Sequence, residues 1–89
     1  MTQVHAYYSG TVQGVGFRYS VQRLAAQANL KGWVKNLDDG RVEMVVQGDR
    51  SVIEALLGNI EQRYDGYIRD QQVEWQPAQR VYPQFEITH

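Results

Sequence analysis

Apolar residues recur along this chain in two periods, and the switches between the periods mark its elements. Val4, Ala6, Tyr8, Gly10 and Val12 alternate with His5, Tyr7, Ser9 and Thr11. That period of two is expected of a strand, with the first, more apolar set turned to the core. A glycine-containing loop follows. Over residues 18–28 the period lengthens, and Val21, Leu24, Ala25 and Ala28 fall at i, i+3, i+4 and i+7, the continuous apolar face of a helix. Asn29 suits the left-handed position after a helix end, and Leu30 can fold back onto that end. Residues 32–37 read as a second strand. Asp38-Asp39-Gly40 then signals a tight hairpin, because Asp-Gly supplies residues able to take φ > 0. Residues 41–47 return as a third strand, with Val42, Met44 and Val46 on one face and Glu43, Val45 and Gln47 on the other.

Ser51-Val52-Ile53-Glu54 fits a capping box, and Asp49 could cap a second helix equally well. Ile53, Leu56, Leu57, Ile60 and Tyr64 form that helix's apolar stripe, which reads as core. Gly58 weakens it by about 1 kcal/mol relative to alanine, and Asp65-Gly66 ends it. Ile68, Val73 and Trp75 mark a fourth strand whose register is left open by Arg69-Asp70-Gln71-Gln72. Pro77 breaks it, and Phe85 and Ile87 mark a short final strand. The order is β-α-β-β-α-β plus a short terminal strand. Two helices with apolar faces, set on one side of an antiparallel sheet, predict an α+β, two-layer ferredoxin-like sandwich. That topology hosts many functions and decides none.

Composition narrows the choice. Eighty-nine residues make one domain, 1–89, which buries about 60–65% of the surface its unfolded chain exposes. An apolar fraction of 43% with charges of both signs spread along the chain argues against disorder. A net charge of −1 argues against broad, phosphate-driven nucleic-acid binding, so any anion site must be local. The chain has no Cys, hence no disulfide, thiolate nucleophile or cysteine-ligated zinc. His5 and His89 stand at opposite ends of the sequence, and Asp38-Asp39 is the one adjacent carboxylate pair. Neither metal nor cofactor is expected. No basic-then-apolar leader and no long apolar run is present, so export and membrane insertion are not expected and a cytoplasmic monomer is.

The candidate chemistry lies in Ser-Gly-Thr-Val-Gln-Gly-Val-Gly-Phe-Arg at 9–18. Gly14 and Gly16 let the backbone take φ > 0 and expose its N–H groups. A row of such amides at the positive end of a helix suits an anion. Arg18 in the first helical turn opposes the macrodipole unless something negative sits beside it. A Walker A loop is excluded, since no Lys follows the glycines, and a dinucleotide fingerprint would need glycine where Tyr19 stands. On the loop alone, a phosphate site and a plain strand-to-helix turn with a surface arginine both stay open. Asn36, near the end of the second strand, offers a donor and an acceptor. It can approach the anion site if its strand pairs beside the first.

Together these residues closely resemble the acylphosphatase family. The carrying motifs are Gly10-Thr-Val-Gln-Gly-Val-Gly-Phe-Arg18, Gly32-Trp-Val-Lys-Asn36 and Asp39-Gly40-Arg-Val-Glu43, with support from Phe85-Glu-Ile87. The resemblance implies that Arg18 and the loop amides of Gln13, Gly14, Val15, Gly16, Phe17 and Arg18 bind a phosphoryl group. It implies that Asn36 positions the attacking water. The implied reaction takes a small-molecule acyl phosphate and water to carboxylate and inorganic phosphate, with no metal or covalent intermediate. Such chemistry needs few residues. The carboxylate leaving group has a conjugate acid of pKa about 4 and departs without a general acid. A loose phosphoryl-transfer transition state asks mainly for positioning and charge. Thr11 stands where the family often has a basic residue, Asn29 replaces a usual glycine, and residues 64–70 lack a common Gly-Pro pattern.

Two other readings share the fold. An RNA-recognition domain has the same strand order and carries aromatics on its third strand, where residues 41–47 here have none. A phosphate-binding or interaction module without turnover would not need both Arg18 and Asn36. Larger acylphosphatase-like regions of carbamoyl-transfer proteins carry zinc-ligand cysteines that this chain lacks.

Overall fold

The alternation in the first strand is realised directly. In a computed structural model describing residues 1–89, Val4, Ala6 and Tyr8 are fully buried while His5 and Tyr7 point to the opposite face. The elements are β1 (Thr2–Gly10), α1 (Phe17–Gln27), β2 (Lys31–Asn36), β3 (Val42–Gly48), α2 (Arg50–Arg63), β4 (Ile68–Pro77) and β5 (Phe85–Ile87). Val21 and Ala25 of α1 and Ile53, Leu56 and Ile60 of α2 bury their apolar stripes on one face of the sheet. There they meet Val4, Ala6, Tyr8, Val34, Val42, Met44 and Val46. At about 1.5–3 kcal/mol for each large side chain fully buried, this layer is the main source of stability.

Helix ends follow their local chemistry. Asn29 is the one non-glycine residue with positive φ, at 58°. Leu30 N–H donates to Ala25 O at 2.9 Å and Asn29 N–H to Ala26 O at 3.1 Å, a Schellman close with Leu30 buried behind it. At α2 the Asp49 carboxylate is the cap, accepting from Ser51 N–H at 2.9 Å and Ser51 Oγ at 2.7 Å. The Ser51-Glu54 capping box does not form, because Ser51 is already inside the helix.

The sheet order is β4-β1-β3-β2-β5, with β1 antiparallel to both β3 and β4 and β3 antiparallel to β2. One condition is not met, and one expectation is corrected. The second strand does not lie beside the first, since β3 enters the slot that the α1 crossover leaves between them. The sheet is mixed rather than wholly antiparallel, because β5 runs parallel to β2. After β4 the chain crosses the sheet near Gln47 before entering β5 from the end where β2 begins. The β2–β3 turn is wider than a two-residue hairpin. Leu37 N–H donates to Arg41 O at 2.8 Å, leaving Asp38-Asp39-Gly40 as the loop, and Gly40 alone takes positive φ. The layout leaves the end of β1, the N-terminus of α1 and the end of β2 at one rim of the molecule.

Candidate active site

The glycine loop leaves β1 at Gly10 and becomes α1 at Phe17, turning on Gly14 and Gly16 with φ of 79° and 80°. Gly16 is the N-cap and makes no side-chain cap, and the first turn of α1 holds no acidic residue. The backbone N–H groups of residues 13–19 donate no hydrogen bond within the protein. An uncapped helix N-terminus preceded by free amides is a site of positive potential. Phe17 anchors the arrangement. It is buried, with its ring 5.2 Å from that of Tyr8 and 4.9 Å from that of Tyr64.

A cleft of about 260 Å³ opens here, lined by Val12, Gly14, Gly16, Phe17, Arg18, Tyr19 and Asn36. It brings Arg18 and Asn36 together across the intervening strand β3. Arg18 is half-buried and has no carboxylate within 4 Å. The Oδ1 of Asn36 is buried and accepts no hydrogen bond from the protein. Gln13 and Val15 are not part of the lining. Val15 packs against the core, and the Gln13 side chain reaches the β2–β3 hairpin instead. Arg41 turns away, its Nε 2.9 Å from Asp39 Oδ2 and its guanidinium 4.9 Å from the centre of the Tyr7 ring. The Arg41 amide, and then its guanidinium, hold the Asp39 carboxyl below the usual carboxylate range.

A larger cleft of about 330 Å³ lies on the open sheet face over His5, Tyr7, Gln72 and Glu74. It holds no arginine or lysine, and the Glu74 carboxylate in its lining works against a phosphate. His5 there is 2.6 Å from Glu43 Oε2, which also accepts from the Tyr7 hydroxyl at 3.0 Å, so the histidine belongs to a surface network.

Two residues at the site were not singled out from sequence. Tyr19 is 68% exposed at the cleft wall. Tyr64 reads from sequence as the last apolar residue of α2, yet its hydroxyl donates to Gly16 O at 3.1 Å and lies 2.7 Å from Ser20 Oγ. The polar tip of a tyrosine at a helix end is the signal that could have found it.

A two-layer βαββαβ fold thus carries a free-amide loop, a lone arginine and an unpartnered asparagine oxygen at one cleft. The chain belongs to the acylphosphatase family, whose model, described as "Acylphosphatase", matches residues 4–87. It is similar to an acylphosphatase of Geobacillus kaustophilus (strain HTA426), 56% identical over 61 residues that cover 68% of this chain and 65% of that one. It thus spans slightly less than two thirds of the length of that relative. A second relative, an acylphosphatase of Synechococcus sp. (strain JA-2-3B'a(2-13)), is 39% identical over 85 residues, covering 96% of this chain and 90% of that one. The crystal structure of acylphosphatase from Bacillus subtilis superposes with a TM-score of 0.92 at 34% identity, over 100% of both chains.

Proposed function

We propose that this protein is an acylphosphatase in action as well as in family. It hydrolyses the carboxyl–phosphate bond of a small-molecule acyl phosphate to a carboxylate and inorganic phosphate. The observation that carries the reading is one cleft holding an unpaired arginine, a run of free amides and a buried asparagine oxygen with no partner.

Arg18 and the free amides of the lining residues Gly14, Gly16, Phe17 and Arg18 receive the phosphoryl oxygens and stabilise the charge that gathers there in the transition state. The Asn36 Oδ1 accepts a hydrogen from water and aims its lone pair at phosphorus, opposite the departing carboxylate. The P–O bond to the acyl group breaks as the water oxygen bonds to phosphorus, and the acyl oxygen leaves with the electron pair. No acid has to protonate a leaving group whose conjugate acid has a pKa of about 4. The water's proton passes to a phosphate oxygen or to solvent, since no carboxylate or histidine lines the cleft.

The protein acts as a cytoplasmic monomer, without metal, cofactor, nucleic acid or membrane. A net charge of −1 supports the exclusion of nucleic acid. No helix is long and apolar enough to cross a membrane. Purified protein should release phosphate from benzoyl phosphate in the presence of EDTA. Folded protein giving no turnover above buffer would sink the hydrolase reading; phosphate binding without turnover would leave a binding module of the same fold.

A further inference from the structure

The phosphate loop and the strand carrying Asn36 are not neighbours in the sheet, because β3 separates β1 from β2. The side chain of Gln13 joins them. Its Nε2 donates to Leu37 O at 2.8 Å and to Arg41 O at 3.0 Å. These carbonyls form the neck of the β2–β3 hairpin, where Leu37 N–H also donates to Arg41 O at 2.8 Å. Asn36 is the residue immediately before this rung, and Gly14 immediately follows Gln13. Both hydrogens of one primary amide are therefore spent on fixing one half of the cleft against the other. Glutamate, of the same length, has no hydrogen to offer when ionised.

We infer that Gln13 is a positioning residue for hydrolysis: through the hairpin neck it sets the distance between the phosphate cradle and Asn36. The inference rests on the roles of Arg18 and Asn36 proposed above. A bound phosphoryl group needs only the loop, while attack needs the loop and the hairpin in register. A misplacement near 1 Å costs on the order of 100-fold in rate. Gln13 is thus expected to act on turnover far more than on binding.

Gln13→Met keeps the length and removes both donors, and Gln13→Glu sets acceptors against two carbonyls. With benzoyl phosphate, kcat should fall about 10–100-fold in the first variant and further in the second. Affinity for inorganic phosphate should stay within about threefold. In an Asn36→Ala background, Gln13→Met should lower kcat by less than about twofold, because the residue it serves is gone. Multiplying effects in the double variant, or loss of phosphate affinity parallel to kcat, would overturn the inference.

A second readout needs no turnover. In a phosphate titration followed by amide NMR, wild type should shift both the Gly14–Arg18 backbone amides and the Asn36 side-chain amide. Gln13→Met should keep the first response and lose the second. An unchanged Asn36 response overturns the clamp, whereas absence of turnover by the wild type overturns the hydrolase reading and leaves this measurement intact.

Discussion

The Tyr64 hydroxyl donates to the carbonyl oxygen of Gly16 at 3.1 Å, joining the end of α2 to the residue on which the glycine loop turns into α1. Gly16 O also accepts Ser20 N–H at 3.0 Å, so this carbonyl is held from two sides while the amides around it stay free. Ser20 Oγ, 2.7 Å from the same hydroxyl, is left to donate to the tyrosine oxygen. Tyr64→Phe should keep the ring contact with Phe17 and lose these bonds. We expect about 1–2 kcal/mol lower stability in urea unfolding. Phosphate affinity, measured by calorimetry, should weaken several-fold as the loop loosens. Unaltered affinity would show that α2 plays no part in shaping the loop.

The assigned roles of Arg18 and Asn36 separate under mutation. Arg18→Ala should abolish phosphate binding and cut kcat/KM by about 10³-fold, since a principal source of positive charge in the cleft is gone. Arg18→Lys should fall between, keeping charge but not the planar fork. Asn36→Ala should bind phosphate almost normally and lose about 10²–10³-fold in kcat, because only the positioning of water is removed. Steady-state kinetics beside direct phosphate titration decides it: parallel loss of binding in Asn36→Ala would contradict the role given to Asn36.

Local order was legible where a residue's environment is set by its near neighbours. The alternation of Val4, Ala6 and Tyr8, the Asn29 close of α1 and the glycine loop before Arg18 all depend on a few adjacent residues. Gln47 shows where this stops. Alternation puts it on the open face with Glu43, yet it is fully buried. Its side chain bonds Gln3 Oε1 at 3.0 Å and the Arg80 carbonyl, and accepts Tyr82 N–H at 3.1 Å. A period of two tells which face a residue takes and not which distant segment will cover that face. The same holds at the cleft. Arg18 and Asn36 stand out by type and motif, but that β3 separates their strands and that Gln13 bridges the gap are long-range facts.

Glycine-to-alanine changes should have opposite signs at two positions. At Gly16, with φ 80° and ψ 14°, a Cβ meets nothing within 4 Å, so the whole penalty is left-handed backbone strain of about 1–2 kcal/mol. Gly16→Ala either carries that strain or relaxes to negative φ and misaligns the amides; phosphate affinity falls in the second case and stability in the first. Gly58 lies on the exposed side of α2, again with open space around a Cβ. Gly58→Ala should raise stability by about 0.5–1 kcal/mol with activity unchanged. Thermal unfolding of both variants, with phosphate titration of the first, checks the contrast.

Tyr8 is fully buried, and its hydroxyl has no hydrogen-bond partner. Desolvation, reinforced by the charge of Glu61, holds its pKa well above the ordinary tyrosine value. Above a pH of about 10 the unfolded chain releases this proton while the native state keeps it. The native state then binds more protons, and stability falls as pH rises. The contribution is complete below the unfolded pKa and is lost progressively toward the native one. Tyr7, raised chiefly by its hydrogen bond to the Glu43 carboxylate, adds to the same slope. Tyr8→Phe removes a hydroxyl that gains nothing in the core. At neutral pH it should be as stable as wild type or more stable by up to about 1–2 kcal/mol. At pH 11 its advantage should widen. Denaturant midpoints at the two pH values test this, and a Tyr8→Phe protein that weakens with alkali as steeply as wild type would show that the Tyr8 proton is not what the native state retains.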